Sequence, residues 1–385
     1  MLVFVFIALA VYGLVNLYIG RRGAQALASC PGARRAFLVL FIGLAVVFPV
    51  GRILMNFSKG WLTSILVEVG TFHLAVILYA FMAVLAVDFV RLINAVLPFL
   101  PKGLTAAGAR TGGPVVFAVV AGIVVMTVAW GAWNATRLRT VDLDLRIPRK
   151  SGASERLTVV AASDLHLGAL VGPSRLEKVV GRINALQPDI VLFAGDIVDE
   201  TVTEAIEEKL GGIMRRLKAP LGLFACPGNH EFYSGLERNL ACLRSCGITV
   251  LQDKAVEVAG TMTLLGRRDP SSLAAGEKRR LIGAILTGSG TPADLPIVVL
   301  DHQPIHLEEA AEAGVALQIS GHTHDGQMFP IDLINGLIYE LNWGYLRKGD
   351  TQYYVTSGAG TWGPPVRIGS RAEIVRIRVE FVRIP

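Results

Sequence analysis

The first third of the chain consists of four apolar runs, at about 1–20, 36–56, 62–87 and 114–134, separated by short polar loops. Each approaches the roughly 20 residues that a helix needs to cross a bilayer. The first is too long for a signal-peptide core and lacks a basic start, so it is expected to be retained. Beyond residue 156 the pattern changes. Short β-rich runs bounded by breakers alternate with stretches whose apolar residues recur every three or four positions. "LTVVAAS", "DIVLFAG" and "LGLFACPG" predict strands, and "SRLEKVVGRINAL", "EAIEEKLGGIMRRL" and "SGLERNLACLRSCG" predict helices between and after them. "ITVL", "AVEVAG" and "TMTLLG" predict hairpin strands, "PIVVLDH" and "VALQISGH" buried strands, and the last 35 residues antiparallel β. The expected organisation is an all-α four-span transmembrane region (1–135), a linker (136–156) and an α/β domain (157–385) long enough for one core.

Composition and charge sharpen this division. The chain is 52% hydrophobic with a mean hydropathy of +0.51. Residues 1–135 carry a net charge of +7 and the linker +3, whereas 157–385 carry −4. A nucleic-acid-binding domain needs a basic face, so the mildly acidic C-terminal part excludes that class. Arginines crowd 21–35, and Arg91, Lys102 and Arg110 lie in 88–113, against only Lys59 after the second run. The positive-inside rule puts 21–35 and 88–113 in the cytoplasm of a multi-pass protein of the cell membrane, and the C-terminal domain outside it. Arg137, Arg139 and Arg146, after the fourth run, argue the other way. Glu68 and His73 lie about 140° apart around a helix, which suits a tethering bundle with one satisfied polar spot better than a transport pathway. Cys30, Cys226, Cys242 and Cys246 have no zinc-knuckle spacing and are expected as thiols.

The chemistry gathers at strand ends. Five of the seven histidines stand there, in the order Asp164-Leu165-His166, Gly195-Asp196, Asn229-His230-Glu231, Asp301-His302 and His322-Thr323-His324. Ligands bind at the carboxyl ends of strands in open α/β sheets. Carboxylate, imidazole and one amide, without thiolate, suit Mn, Fe or Zn. Two divalent ions close together need a bridging carboxylate and a few ligands each, and the chain supplies that number.

The ordered set "SDLHLG", "GDIVD", "GNHE", "LDHQP" and "GHTHDGQ" closely resembles the calcineurin-like metallophosphoesterases over 157–385, and "GAGTWGPPVRIGSRAEIVRI" looks like their bacterial membrane-associated branch. The resemblance implies a sandwich of two mixed β-sheets flanked by helices, with two divalent metal ions (Mn, Zn or Fe) at one edge. It implies that Asp164, His166 and His324 hold one ion, that Asn229, His302 and His322 hold the other, and that Asp196 bridges them. His230 would orient the phosphate and assist the leaving oxygen. Asp199 is expected as a hydrogen-bonding group behind the ligands. Asp325 departs from the branch, which usually has glycine there; it is expected either as a partner behind the ligands or as a solvent-facing acid. His306 is expected at the surface, and Trp343, Tyr345 and Trp362 to face lipid, substrate or core. The implied activity is hydrolysis of a phosphoester, phosphodiester or pyrophosphate bond in a phosphorylated small-molecule, lipid-linked or cell-envelope substrate. The alternative is a non-catalytic metal-binding sensor on a membrane stem.

Overall fold

A computed structural model describes residues 2–55, 57–58, 60–101, 112–149, 156–168, 171–199 and 204–383. Lys59, Lys102, Arg110 and residues 150–155 of the expected linker lie outside the described residues. Two compact units divide the chain, Met1–Trp133 with Gly363–Val366, and Asn134–Trp362 with Arg367–Pro385.

The first unit contains helices α1 (Leu2–Ala26), α2 (Pro31–Leu54), α3 (Trp61–Val96) and most of α4 (Gly112–Ala135). Among the described residues, three helices rather than four are long and apolar enough to cross a membrane: α2, α3 and α4. Helix α1 is continuous and as hydrophobic as α2, its apolar run ending at Arg21 and Arg22, but its side chains before Phe6 lie outside the described residues. Helix α3 runs past the expected end at 87 because its charges there are paired. Asp88 faces Arg22 at 2.6 Å and Arg91 at 3.5 Å. The expected polar spot is satisfied, with His73 Nε2 3.1 Å from Asn16 Oδ1.

The second unit holds two six-stranded sheets. Its elements, in chain order, are β1 (Leu138–Arg149), β2 (Arg156–Ala162), α5 (Pro173–Ala185), β3 (Ile190–Ala194), α6 (Glu204–Met214), β4 (Leu223–Cys226), α7 (Asn229–Ser234), α8 (Leu236–Ser245) and β5 (Ile248–Val250). There follow β6 (Lys254–Val258), β7 (Met262–Gly266), α9 (Ile282–Thr287), β8 (Ile297–Leu300), α10 (Leu307–Glu312), β9 (Leu317–Ser320), α11 (Ile331–Ile338), β10 (Gly344–Lys348), β11 (Thr351–Val355) and β12 (Ala372–Arg383). The first sheet has the order β1-β12-β2-β3-β4-β5 and the second β10-β11-β9-β8-β7-β6. Period-2 alternation makes two cores from one strand. Val159, Ile190 and Leu192 pack between the sheets with Leu264, Val298 and Ile319. Val160, Val191 and Phe193 pack on the other side against α5, α6 and α8. Helix α5 meets them with Leu176, Val179, Val180 and Ile183, an i, i+3, i+4, i+7 stripe. Helices α9 and α10 cover the outer face of the second sheet. The result is the expected sandwich of two mixed sheets flanked by helices.

Three expectations need correction. Most of the described part of 136–156 is not linker: it forms β1, paired in parallel with β12 along its whole length. The "ITVL" strand is not part of a hairpin with its successors. It pairs in parallel with β4 in the first sheet, while β6 and β7 make the hairpin in the second. The C-terminal strands are not all antiparallel, since β11 runs parallel to β9.

Candidate metal centre

Strands β2, β3 and β4 are parallel neighbours in one sheet, and β8 and β9 in the other. Their carboxyl ends meet at one edge of the sandwich. His302, just after β8, is tied to β3 by a 2.7 Å bond between its Nδ1 and the Ala194 carbonyl, which joins the sheets at that edge. At the end of β3, Gly195 has φ +85° and a Cβ there would lie 2.6 Å from His302 Nδ1, so only glycine fits. The chain then turns sharply at five of the seven candidate ligands. Asp164, His166, Asp196, His322 and His324 all have φ between 50° and 72°. Non-glycine residues enter this left-handed region at a cost, and such strain clusters where surrounding structure fixes a functional side chain.

Asp164, His166 and His324 each offer one atom within 4.8 Å of the others, and so do Asp196, His302 and His322. In the first group His166 Nε2 and His324 Nε2 are 3.0 Å apart, and Asp164 Oδ1 lies 3.3 Å from His324 Nε2. In the second, Asn229 Oδ1 lies 3.1 Å from His302 Nε2 and 2.9 Å from His322 Nδ1. Asp196 Oδ2 stands between the groups, 3.1 Å from His302 Nε2 and 3.9 Å from His166 Nε2. Asp164, His166, Asp196, Asn229, His302 and His324 are buried, and His322 is partly so.

The electrostatics favour the ligating form at Asp196, His322 and His324, whereas burial raises Asp164, and, although burial opposes it, Asp196 raises His302 well above its usual value. Burial, reinforced by neighbouring His166, holds the His324 imidazole well below its usual value, and burial with His302 lowers His322 to about 3. Both shifts favour the neutral imidazole, the form that binds a cation. Burial alone would raise Asp196, but the charge and hydrogen bond of His302 hold its carboxyl far below the usual range. The donor set fits divalent cations. Two imidazole nitrogens facing each other at 3.0 Å beside a buried carboxylate are satisfied best by a cation between them. The second group adds an amide oxygen and a histidine whose other nitrogen is bonded to a backbone carbonyl, the arrangement that orients ligating imidazoles.

His230, after β4, lies beside both groups without joining the two that contain the shared carboxylate edge. Its ring is 4.7 Å from that of His166, its amide donates to Asp196 Oδ1 at 2.9 Å, and its Nδ1 is paired with Asp199. Burial opposes its charging, yet the hydrogen bond to Asp199 and the nearby Asp196 raise the imidazole above its usual value. Asp199 also lies 3.6 Å from His166 Nδ1, behind the ligand edge. Asp325 is half-buried rather than simply solvent-facing; Asn342 donates to it, and burial together with Asp332 raises it to about 6. His306 is exposed, at the residue before α10.

Two buried charged residues were not anticipated as part of the site. Glu231, within the quoted "GNHE", accepts from the backbone amides of Asp196, Ile197, Val198 and Gly228 and so fixes the turn carrying Asp196. Its place in a polar run after a strand was the available signal. Arg367 is buried and donates to the carbonyls of Ser357, Gly358 and Gly360, with Nη2 3.4 Å from His324 Nδ1. Nothing in the local pattern distinguishes it from the exposed arginines of the same half.

Comparison with known proteins gives the chain a family. A family model described as calcineurin-like phosphoesterase matches residues 157–326. A transmembrane protein with metallophosphoesterase domain from Danio rerio is 31% identical over 268 residues, 66% of this chain, and the chain spans only 60% of its length. A UDP-2,3-diacylglucosamine pyrophosphatase of Chlamydia muridarum is 35% identical over 103 residues, 27% of this chain and 31% of that protein. An uncharacterized metallophosphoesterase of Aquifex aeolicus is 32% identical over 244 residues, which cover 61% of this chain and 92% of the other. On the family match and a relative covered almost end to end, the chain belongs to the calcineurin-like phosphoesterase family.

Proposed function

We propose that the protein is a membrane-anchored phosphohydrolase with a dinuclear metal site, cleaving a phosphoester or pyrophosphate bond. The observation that carries this reading is the single oxygen of Asp196 shared between two ligand groups, with the His230–Asp199 pair beside it. Asp164, His166 and His324 would hold one divalent ion, Asn229, His302 and His322 the other, and Asp196 both. Such a pair supplies Lewis-acid charge at the phosphoryl oxygens and lowers the pKa of a water molecule. The chain's own residues do the rest. Glu231 and Arg367 hold the turns that aim the ligands. Asp199 accepts from His230 Nδ1 and its charge stabilises the imidazolium, whose Nε2 proton can pass to the leaving oxygen. The raised affinity of His230 for a proton suits that task.

The resemblance to a pyrophosphatase named for a diacylated sugar nucleotide favours a lipid-linked or envelope substrate. The charges of the loops between the helices favour an extracytoplasmic site, against those of Arg137, Arg139 and Arg146. If 21–35 is cytoplasmic, three crossings by α2, α3 and α4 carry the second unit outside, whether or not α1 also crosses. The Arg22–Asp88 pair supports this by setting the end of α3 level with that basic loop.

The test is His230→Ala. This variant should retain its bound metal, because His230 lies outside both proposed ligand sets, yet lose about 10²- to 10⁴-fold in turnover. Wild-type turnover in His230→Ala would remove the histidine from the mechanism.

A further inference from the structure

Helix α11 is inside out. Its polar residues face the protein: Asn335 Nδ2 donates to the Thr323 carbonyl at 2.9 Å, and Asp332 is partly buried against Gly326. Its aliphatic residues face outward, with Leu333 59%, Ile334 54%, Leu337 89% and Ile338 66% exposed. No residue of the helix is buried. A helix on a water-facing protein surface shows the reverse pattern, and a contiguous aliphatic face of this kind marks a contact with something apolar. Exposed aromatic rings lie on the segments that hold it. Phe329 precedes the helix. Trp343 follows Asn342, whose carbonyl accepts from Thr323 Oγ1 at 2.6 Å. Trp362 is fixed through its backbone to Gln327 and leaves its ring 56% exposed.

We propose that α11 lies in the membrane interface, with Leu333, Ile334, Leu337 and Ile338 among the acyl chains. Three observations choose a bilayer over a protein partner. Among the described residues, three helices are long and apolar enough to span a membrane. Asn134, in the last turn of α4, donates to the carbonyls of Arg367 and Ser370, and the adjoining Ile368 and Gly369 bridge to Met328, three residues before α11. The end of a membrane-length helix is thereby bonded to the segment from which α11 departs. The same unit also opens a cleft of about 630 Å³ lined by Arg137, Arg139, Lys178 and Arg182, directly after α4, a charge complement to lipid phosphates. An outward aliphatic face with exposed aromatic rings on the segments that hold it, and cations elsewhere on the same unit, are the components of an interfacial element.

The helix also leads to the site. Tyr339, at its end, packs its ring 6.0 Å from that of His322. Bedding α11 in lipid brings the metal centre to the headgroup layer, so its substrate is a phosphate carried on an amphiphile at the interface. This second step rests on the phosphohydrolase reading; the lipid contact does not.

The experiment uses the full chain with Cys30→Ser, its other cysteines, Cys226, Cys242 and Cys246, being buried. A nitroxide is attached at Leu337→Cys, or at Leu333→Cys should the first variant fail to fold. The protein is reconstituted into vesicles of phosphatidylethanolamine and phosphatidylglycerol. Collisions with oxygen should exceed those with a water-soluble nickel chelate at α11, and the reverse should hold at Asp350→Cys in the turn between β10 and β11, where the side chain is 99% exposed. Free access of the nickel chelate at α11 would overturn the proposal. So would a label reached by neither reagent, which would mean a protein interface. An inactive protein with a lipid-exposed label would leave α11 standing and sink the phosphohydrolase reading alone.

Discussion

At the residue scale, the site is made of side chains held where the backbone resists going. Five candidate ligands occupy left-handed φ, each at a cost of about 1–3 kcal/mol that the packed sheets offset. The order of these residues was legible because polar residues and glycine directly after apolar strands have little packing purpose. Glu231 and Arg367 were not, because burial of a charge depends on contacts far along the chain. Glu231→Gln should replace a four-amide acceptor with one oxygen and a competing donor. We expect a loss of about 1–3 kcal/mol in stability and about 10- to 100-fold weaker metal binding, read by unfolding and metal analysis. Unchanged metal affinity would reduce Glu231 to a packing role. Asp325 gives a pH signature. Its folded-state value of about 6 lies above the ordinary 3.8, so its burial costs nothing below pH 4 and destabilises increasingly as pH rises to 6. Since the group is half-exposed, the effect after solvent screening is about 1 kcal/mol. In chelator-treated protein, Asp325→Asn should therefore raise the unfolding midpoint above pH 6 and leave it unchanged at pH 4. A gain of equal size at both would contradict this.

At the scale of elements, periodicity carried the central strands and helices. β2, β3, β8 and β9 are apolar runs and α5 an apolar stripe. It missed β1 because that strand's outward face is charged. Asp142 and Asp144 pair across to Arg376 and Arg378, and Arg146 to Glu380, an edge that in sequence reads like a polar tether. Partners 234 residues away cannot be seen in a local window. The short "ITVL" run was read as a hairpin strand for the same reason, since its parallel partner β4 cannot be told from so short an apolar run. The layers make a separable prediction. Ile183 is fully buried on the helix-facing side of the first sheet. Ile183→Ala should cost about 2–5 kcal/mol in stability while leaving metal content and turnover per folded molecule unchanged. A selective loss of turnover would tie α5 to the site in a way the packing does not.

At the scale of the whole molecule, the chain joins a hydrophobic unit to an α/β unit whose chemistry sits at the meeting edge of two sheets. Composition announced this division, since the excess of apolar residues and of positive charge falls before residue 157. Among the described residues α2, α3 and α4 qualify as spans, while the first side chains of α1, a helix as hydrophobic as α2, lie outside them. The central claim is that two ligand groups joined by Asp196 form a hydrolytic metal centre. Its most direct test is the hydrolysis of bis-p-nitrophenyl phosphate by chelator-treated full-length protein as Mn is added back, beside Asp196→Asn. The account predicts that turnover is absent without metal, returns with Mn, and stays absent in Asp196→Asn at any Mn concentration. Turnover that survives the chelator, or persists in Asp196→Asn, would contradict it.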